Sequence, residues 1–129
     1  LQLLFANLGL CPEAGSSVLL PQRIGYPRAA ELLLLGEPFS PEQALAWGLI
    51  NGVGVDAETT LDLALAAARR LAAQPAAAAR LTKALLKEPE AARVSEAIAR
   101  EARHFVELLQ SPRARAALEA FAGQRTAGS

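Results

Sequence analysis

Residues 57–73 read AETTLDLALAAARRLAA, and this stretch decides the fold class. Leu61, Leu65, Ala68 and Leu71 recur at the interval that lays side chains along one face of a helix, while Asp62 and Arg69 fall elsewhere. Thr59 or Thr60 reads as its start signal. The same residue types dominate the whole chain, with 29 Ala and 23 Leu among 129 residues and few β-branched or aromatic side chains. Summed along the sequence, that propensity favours helix over strand and predicts a predominantly α chain.

Downstream, Gln74 and Pro75 break the pattern, and Pro75 then opens a second helix reaching about Lys87, in the first-turn position where its missing N–H costs nothing. Glu88, Pro89 and Glu90 repeat the device for a third helix, whose apolar stripe is Val94, Ile98, Phe105, Leu108 and Leu109. Ser111 and Pro112 start a last helix carrying Leu118 and Phe121, before Gly123 and a tail, 126–129, that should fray. Upstream, 49–55 holds the one sustained β-branched stretch. Weakened by Gly52 and Gly54, it reads as one short strand or an extended connector. Ser40, Pro41, Glu42 and Gln43 form a capping box for a short helix ending near Trp47 and Gly48. Residues 28–35 make another, stopped by Gly36. Residues 1–10 are an apolar run with Gly9, too short for a helix, and read as the end of a strand.

Thirteen basic residues balance thirteen acidic ones, so the long-range cationic field that phosphate-backbone binding needs is absent, and no Lys/Arg cluster replaces it. Nucleic acid is not an expected partner. No uncharged apolar stretch approaches the roughly 18–20 residues that cross a bilayer, and LQLLFANLGLCPE has neither a basic leader nor a small-residue cleavage site. A soluble cytoplasmic chain, without a membrane partner, is the expectation. The chain has no Met and starts at Leu1 inside an apolar run, as the C-terminal part of a longer protein would. Cys11, the single cysteine, has no partner for an internal disulfide, which agrees with a reducing compartment.

No P-loop, GxGxxG, HExxH or CxxC motif occurs, so no metal site is expected. His104, between Arg103 and Phe105, has no local partner in sequence and reads as an ordinary helix residue. Cys11, between Leu10 and Pro12, reads as an inert packing thiol with a raised pKa. Glu13 is the carboxylate that stands out. It follows Pro12, precedes the small residues Ala14, Gly15, Ser16 and Ser17, and lies in the most apolar stretch of the chain. Desolvation there would tune it toward general acid–base work. The other reading makes Glu13 a first-turn residue complementing a helix dipole.

Five segments carry a family resemblance: FANLGL at 5–10, PEAGSS at 12–17, LLPQRIG at 19–25, RAAELLLLG at 28–36 and AWGLINGV at 46–53. In this order and spacing they resemble the enoyl-CoA hydratase/isomerase, or crotonase, family, and the whole chain is similar to its C-terminal half. The resemblance implies the C-terminal part of a crotonase-like α/β spiral fold with most of the sheet core missing. Residues 1–55 would be the end of that core, and 56–129 a helical region for packing and oligomerisation, as a homo-trimer or hexamer.

Hydratases of the family carry one catalytic Glu four positions before the Gly of the LG pair, where Phe5 stands here, and their other Glu would lie upstream. Members that move a double bond from position 3 to position 2 of an acyl-CoA carry an acid right after the Pro, which Glu13 matches. The resemblance therefore implies an enoyl-CoA isomerase with Glu13 catalytic. One base that takes a proton from C2 and returns it at C4 suffices. Phe5 and Leu10 are the implied substrate contacts beside it. The substrate would be an acyl-CoA thioester, with coenzyme A part of the substrate and no further cofactor. The family's enolate is held by two backbone N–H groups that would also lie upstream, so the chain by itself is expected to be inactive. Two departures weaken parts of the match. Leu4 stands where many relatives have Pro, and AFAGQR at 120–125 replaces AF-x-EKR, so Gln124 stands for a phosphate-approaching Lys while Arg125 retains the Arg as a phosphate contact. The alternatives are a hydratase or other crotonase activity, and a non-catalytic helical oligomerisation module.

Overall fold

Polar caps and chain-reversing glycines divide the chain into α1 (Ser16–Ile24), α2 (Tyr26–Leu35), α3 (Pro41–Ala46), α4 (Ala57–Ala72), α5 (Ala76–Leu109) and α6 (Pro112–Thr126). The structure is a computed structural model that describes the backbone of residues 1–126 and the side chains of residues 1–122. The frayed tail expected at 126–129 therefore lies, past Thr126, outside the described residues. Helix accounts for 70% of the chain, and the described residues contain no strand.

The short-range signals act as expected. Ser40 accepts from the Gln43 N–H while the Gln43 side chain accepts from the Ser40 N–H, closing the capping box on α3. Ser111 Oγ accepts from the Ala114 N–H at the start of α6. The cap of α4 lies earlier than expected. Asp56, rather than Thr59 or Thr60, accepts from the Thr59 N–H, and Thr59 Oγ1 accepts from the Asp56 N–H in return.

Three features differ from the sequence reading. The second and third helices run together as α5, with Pro89 inside it. Pro89 deletes one bond to the Leu85 carbonyl, and the helix formers on both sides carry the ladder across. Residues 1–10 form no strand. Leu1 and Phe39 exchange both backbone bonds at 2.9 Å, after which the chain curls, with Leu8 N–H donating to Leu4 O and Leu10 N–H to Phe5 O. Residues 49–55 do not differ: they are a connector of bends and irregular backbone, the second of the two forms open to a β-branched stretch that contains Gly52 and Gly54. Residues 16–24, assigned no element from sequence, form α1 despite Pro21, because burying Val18, Leu20 and Ile24 stabilises the helix.

The chain forms two compact units, Leu1–Phe39 with Arg93–Ser129, and Ser40–Ala92. In the first, α1 packs against α2, and the buried side chains include Val18, Leu20, Ile24, Leu32, Leu33 and Phe39. Residues 1–7 strap the C-terminal end of α2: Gln2 Nε2 donates to Gly36 O at 2.7 Å and Asn7 Nδ2 to Leu35 O at 3.0 Å. These bonds satisfy carbonyls that a helix end otherwise leaves open. In the second unit, α3 buries its Ala44, whereas α4 buries none of its residues. The Leu61, Leu65 and Leu71 stripe of α4 is exposed, as are Leu81, Leu85 and Leu86 on α5.

Two tests follow from these caps. Gly36 ends α2 in the left-handed region, φ 64°, and a Cβ there would run into Asn7 Oδ1 and Cγ. Gly36→Ala is expected to destabilise the protein by about 1–2 kcal/mol, visible as a lower urea midpoint. At α4, the Thr59 N–H and hydroxyl hold the Asp56 carboxyl below its ordinary 3.8. The folded state then binds that proton more weakly than the unfolded state. The stabilisation is present above pH 3.8 and is lost as pH falls through the lower folded value. Asp56→Asn, which caps at any pH, is expected to lose less helical circular dichroism than wild type across that acid range.

Candidate functional site

The turn from Cys11 to Ser17 holds the candidate base, and its backbone is fixed on every side. Pro12 restricts φ, and then Ala14 (φ 58°) and Gly15 (φ 79°) both take left-handed conformations before α1 begins. For Ala14 that conformation is strained by roughly 1–2 kcal/mol, so the surroundings must hold it. Part of the hold is local: Ser16 donates to Glu13 O through its N–H at 3.0 Å and its hydroxyl at 2.6 Å.

The rest comes from α5. Gly15, the N-cap of α1, has no side chain with which to satisfy the N–H groups of the first turn. The Glu101 carboxylate does so instead, Oε2 accepting from the Gly15 N–H at 2.7 Å and Oε1 from the Ser17 N–H at 2.9 Å. Glu101 is buried at 5% exposure, and its charge faces the positive end of the α1 dipole. Such charge-assisted bonds contribute about 1.5–3 kcal/mol each, and losing the acceptor would leave two N–H groups unsatisfied. Gly15 lies close against α5. A Cβ there would lie 3.3 Å from Val94 Cγ1 and 3.5 Å from Ile98 Cγ1.

Glu101 was not a sequence candidate, although a signal existed. It falls between Ile98 and Phe105 on the apolar stripe of α5, three residues after one and four before the other. A charge on that stripe must be paired when buried.

Glu13 itself is exposed, and no hydrogen bond or ion pair involves its carboxylate among the described residues. The apolar neighbours in sequence therefore do not bury it here, because Val18 and Leu20 turn into the core while Glu13 stays on the turn. Nor is it a first-turn residue. It precedes the N-cap by two positions, and the dipole-facing place belongs to Glu101.

Phe5 and Leu10 meet in one turn through the Leu10 N–H to Phe5 O bond of 2.8 Å; Phe5 is half-buried and Leu10 buried at 9% exposure. The side chain of Arg125 lies outside the described residues, as does that of Gln124. Cys11 Sγ donates to Glu101 O at 3.7 Å. Burial pushes its thiol pKa up from the ordinary value, and the Glu101 and Glu13 charges add to the effect. His104 does have a local partner, contrary to the sequence reading. Its Nδ1 lies 3.3 Å from Glu107 Oε2, one helical turn on.

A cleft of about 480 Å³ runs beside the turn, walled by Cys11, Pro12, Ser17, Glu101 and His104 among others, and Glu13 is not among its walls. No cluster of His, Cys, Asp and Glu that could hold a metal ion occurs among the described residues, and no described helix is long and apolar enough to cross a membrane.

Comparison with known proteins agrees with this architecture. The family model for enoyl-CoA hydratase/isomerase matches residues 1–128. The 1,2-epoxyphenylacetyl-CoA isomerase of Escherichia coli K12 is 45% identical over 86 residues, 67% of this chain and 32% of that protein. The carnitinyl-CoA dehydratase of Proteus mirabilis is 39% identical over 83 residues, 64% of this chain and 30% of that protein. The solved structure of OdaA from Pseudomonas aeruginosa superposes with a TM-score of 0.87 at 47% identity, covering 92% of this chain and 48% of that one. The chain thus spans about a third of those curated relatives and about half of the solved one. A helical array superposing on half of such a structure, with one family model running along nearly its whole length, establishes that the chain belongs to the enoyl-CoA hydratase/isomerase family.

Proposed function

We propose that this chain supplies the proton-transfer half of an enoyl-CoA isomerase, with Glu13 as the base that moves a double bond from position 3 to position 2 of an acyl-CoA. The observation that carries this reading is the contrast within one turn. The backbone around Glu13 is pinned by Pro12, Ser16 and Glu101, while the Glu13 carboxylate bonds to nothing among the described residues. A base needs both properties, a fixed origin and an unoccupied lone pair.

In the reaction, the Glu13 carboxylate takes the C2 proton. The C2–H electron pair becomes the C1–C2 π bond of a dienolate as the carbonyl π pair moves onto the thioester oxygen, with the C3–C4 double bond still in place. Collapse of that charge then drives the C1–C2 pair to C2–C3 and the C3–C4 pair to the incoming proton. Return of the same proton to C4 then leaves the double bond between C2 and C3. The enolate oxygen needs donors aimed at it, and by the family resemblance these lie outside this chain, which is why the chain alone is inactive in this reading. The name of the Escherichia coli relative, an isomerase of a CoA thioester, supports the assignment.

The dehydratase relative favours a second reading, addition or removal of water. That reaction needs an acid and a base on one water, and at the position where the family's hydratases carry one of those groups this chain has Phe5, which cannot serve.

The second part of the proposal concerns 56–129, which we assign to packing between subunits of a trimer or hexamer. The exposed leucines of α4 and of the first half of α5 support it, since burying each at a subunit contact would contribute about 1.5–3 kcal/mol.

Both parts can be tested in the whole protein. Glu13→Gln keeps the shape and removes the base, so 3-enoyl-CoA isomerisation is expected to fall about 10²- to 10⁴-fold with little change in acyl-CoA binding. An undiminished isomerase rate, or fast 2-enoyl-CoA hydration surviving in the variant, would refute the assignment. Leu86→Glu places a charge on the exposed stripe and is expected to lower the mass measured by sedimentation. A mass unchanged from wild type would refute the packing role of that stripe.

A further inference from the structure

We infer that Glu101 is a positioning residue for the proposed base, setting the place of Glu13 through the backbone of the turn. This inference rests on the isomerase reading of Glu13. The two carboxylates are 88 positions apart in sequence, yet Glu101 bonds the N–H of Gly15 and of Ser17, two and four residues after Glu13.

The geometry gives Glu101 no direct part in chemistry. It is buried, and both its oxygens are occupied by backbone donors. Its effect passes through one strained residue. Ala14 sits at φ 58° between Glu13 and the first clamped N–H. Released from the clamp, Ala14 would relax toward negative φ, because the left-handed region is unfavourable for any residue with a Cβ. A rotation about that residue swings the Pro12–Glu13 segment relative to α1. The Ser16 bonds to Glu13 O remain, but they span only three residues and tie Glu13 to α1 rather than to α5. The Glu101 carboxylate thus refers the base to a second element of the fold on the α1 side of Ala14, while the Cys11 Sγ bond to the Glu101 carbonyl does so on the other side.

Displacements on the order of 1 Å at a reacting group lower rates by up to about 10²-fold without weakening ground-state binding. The experiment is steady-state 3-enoyl-CoA isomerisation by the whole protein carrying Glu101→Gln, Glu101→Asp or Glu13→Gln. It is run well below each variant's unfolding midpoint and paired with hydrogen exchange of the backbone segment 11–20. Glutamine offers one oxygen where two are used and turns an NH2 toward an N–H donor. Glu101→Gln is expected to lower kcat about 10- to 100-fold with KM within about twofold of wild type, and to speed exchange at 11–20. Aspartate keeps the charge at shorter reach, so an intermediate kcat is expected, and it provides the test should Glu101→Gln not fold.

A wild-type kcat in the Glu101 variants beside an impaired Glu13→Gln would overturn the positioning role and leave the base in place. Exchange at 11–20 unchanged in the Glu101 variants would overturn the clamp itself. A full isomerase rate in Glu13→Gln would remove the base, and the positioning role with it, whatever the exchange shows.

Discussion

The bonds from Gly15 and Ser17 N–H to the Glu101 carboxylate are the constraint on which the first unit depends. A helix that begins at a glycine has no side chain to close its own first turn, and α1 also carries Pro21, so its local stability is low. It is stabilised from outside, by packing on α2 and by a carboxylate brought in 86 residues later. The glycine that deprives α1 of a cap also lies against Val94 and Ile98 of α5, and its φ of 79° is one that L side chains rarely adopt. The missing side chain at the N-cap is made good by a carboxylate from another helix.

The division between what sequence reveals and what it hides follows from this. Ser40 with Gln43, Ser111 ahead of Pro112, and Gly36 after four leucines are signals whose partners lie within three or four residues, and each marks a helix end in the structure. The Asp56 cap was displaced by three residues because Thr59 serves it as the reciprocal partner rather than as the cap. Pro89 lies inside α5 rather than at a helix start, which sequence hides for a different reason. Proline at a helix start and proline inside a long helix look alike in a chain rich in Ala, Leu and Glu, and only the continuity of the ladder separates them. The apparent strand at 1–10 reduces to a single pair, Leu1 with Phe39.

The candidate site was legible in one half only. Glu13 could be singled out because a carboxylate between Pro and a run of small residues is unusual locally, and the family resemblance gave that position a meaning. Its environment was misjudged. Apolar neighbours in sequence desolvate a group only when they point the same way, and here the left-handed pair Ala14–Gly15 sends Val18 and Leu20 inward while Glu13 remains exposed. Glu101 shows in sequence only as a charge on an apolar stripe, because its partners are backbone groups at the start of a helix that the pattern does not announce.

These two carboxylates also divide the electrostatic work. A helix N-terminus attracts a negative charge, and an acid just ahead of α1 would ordinarily be drawn into capping it, with its lone pairs engaged by N–H groups. An engaged carboxylate is a poor proton acceptor, because hydrogen bonds to the charged form favour leaving it unprotonated. In this chain the capping position is already filled by Glu101, which approaches from the side of α5. Glu13 is thereby kept out of the dipole's first turn, and its carboxylate carries no hydrogen bond among the described residues. By filling the cap of α1, the buried acid of α5 leaves the exposed acid of the turn unengaged among the described residues.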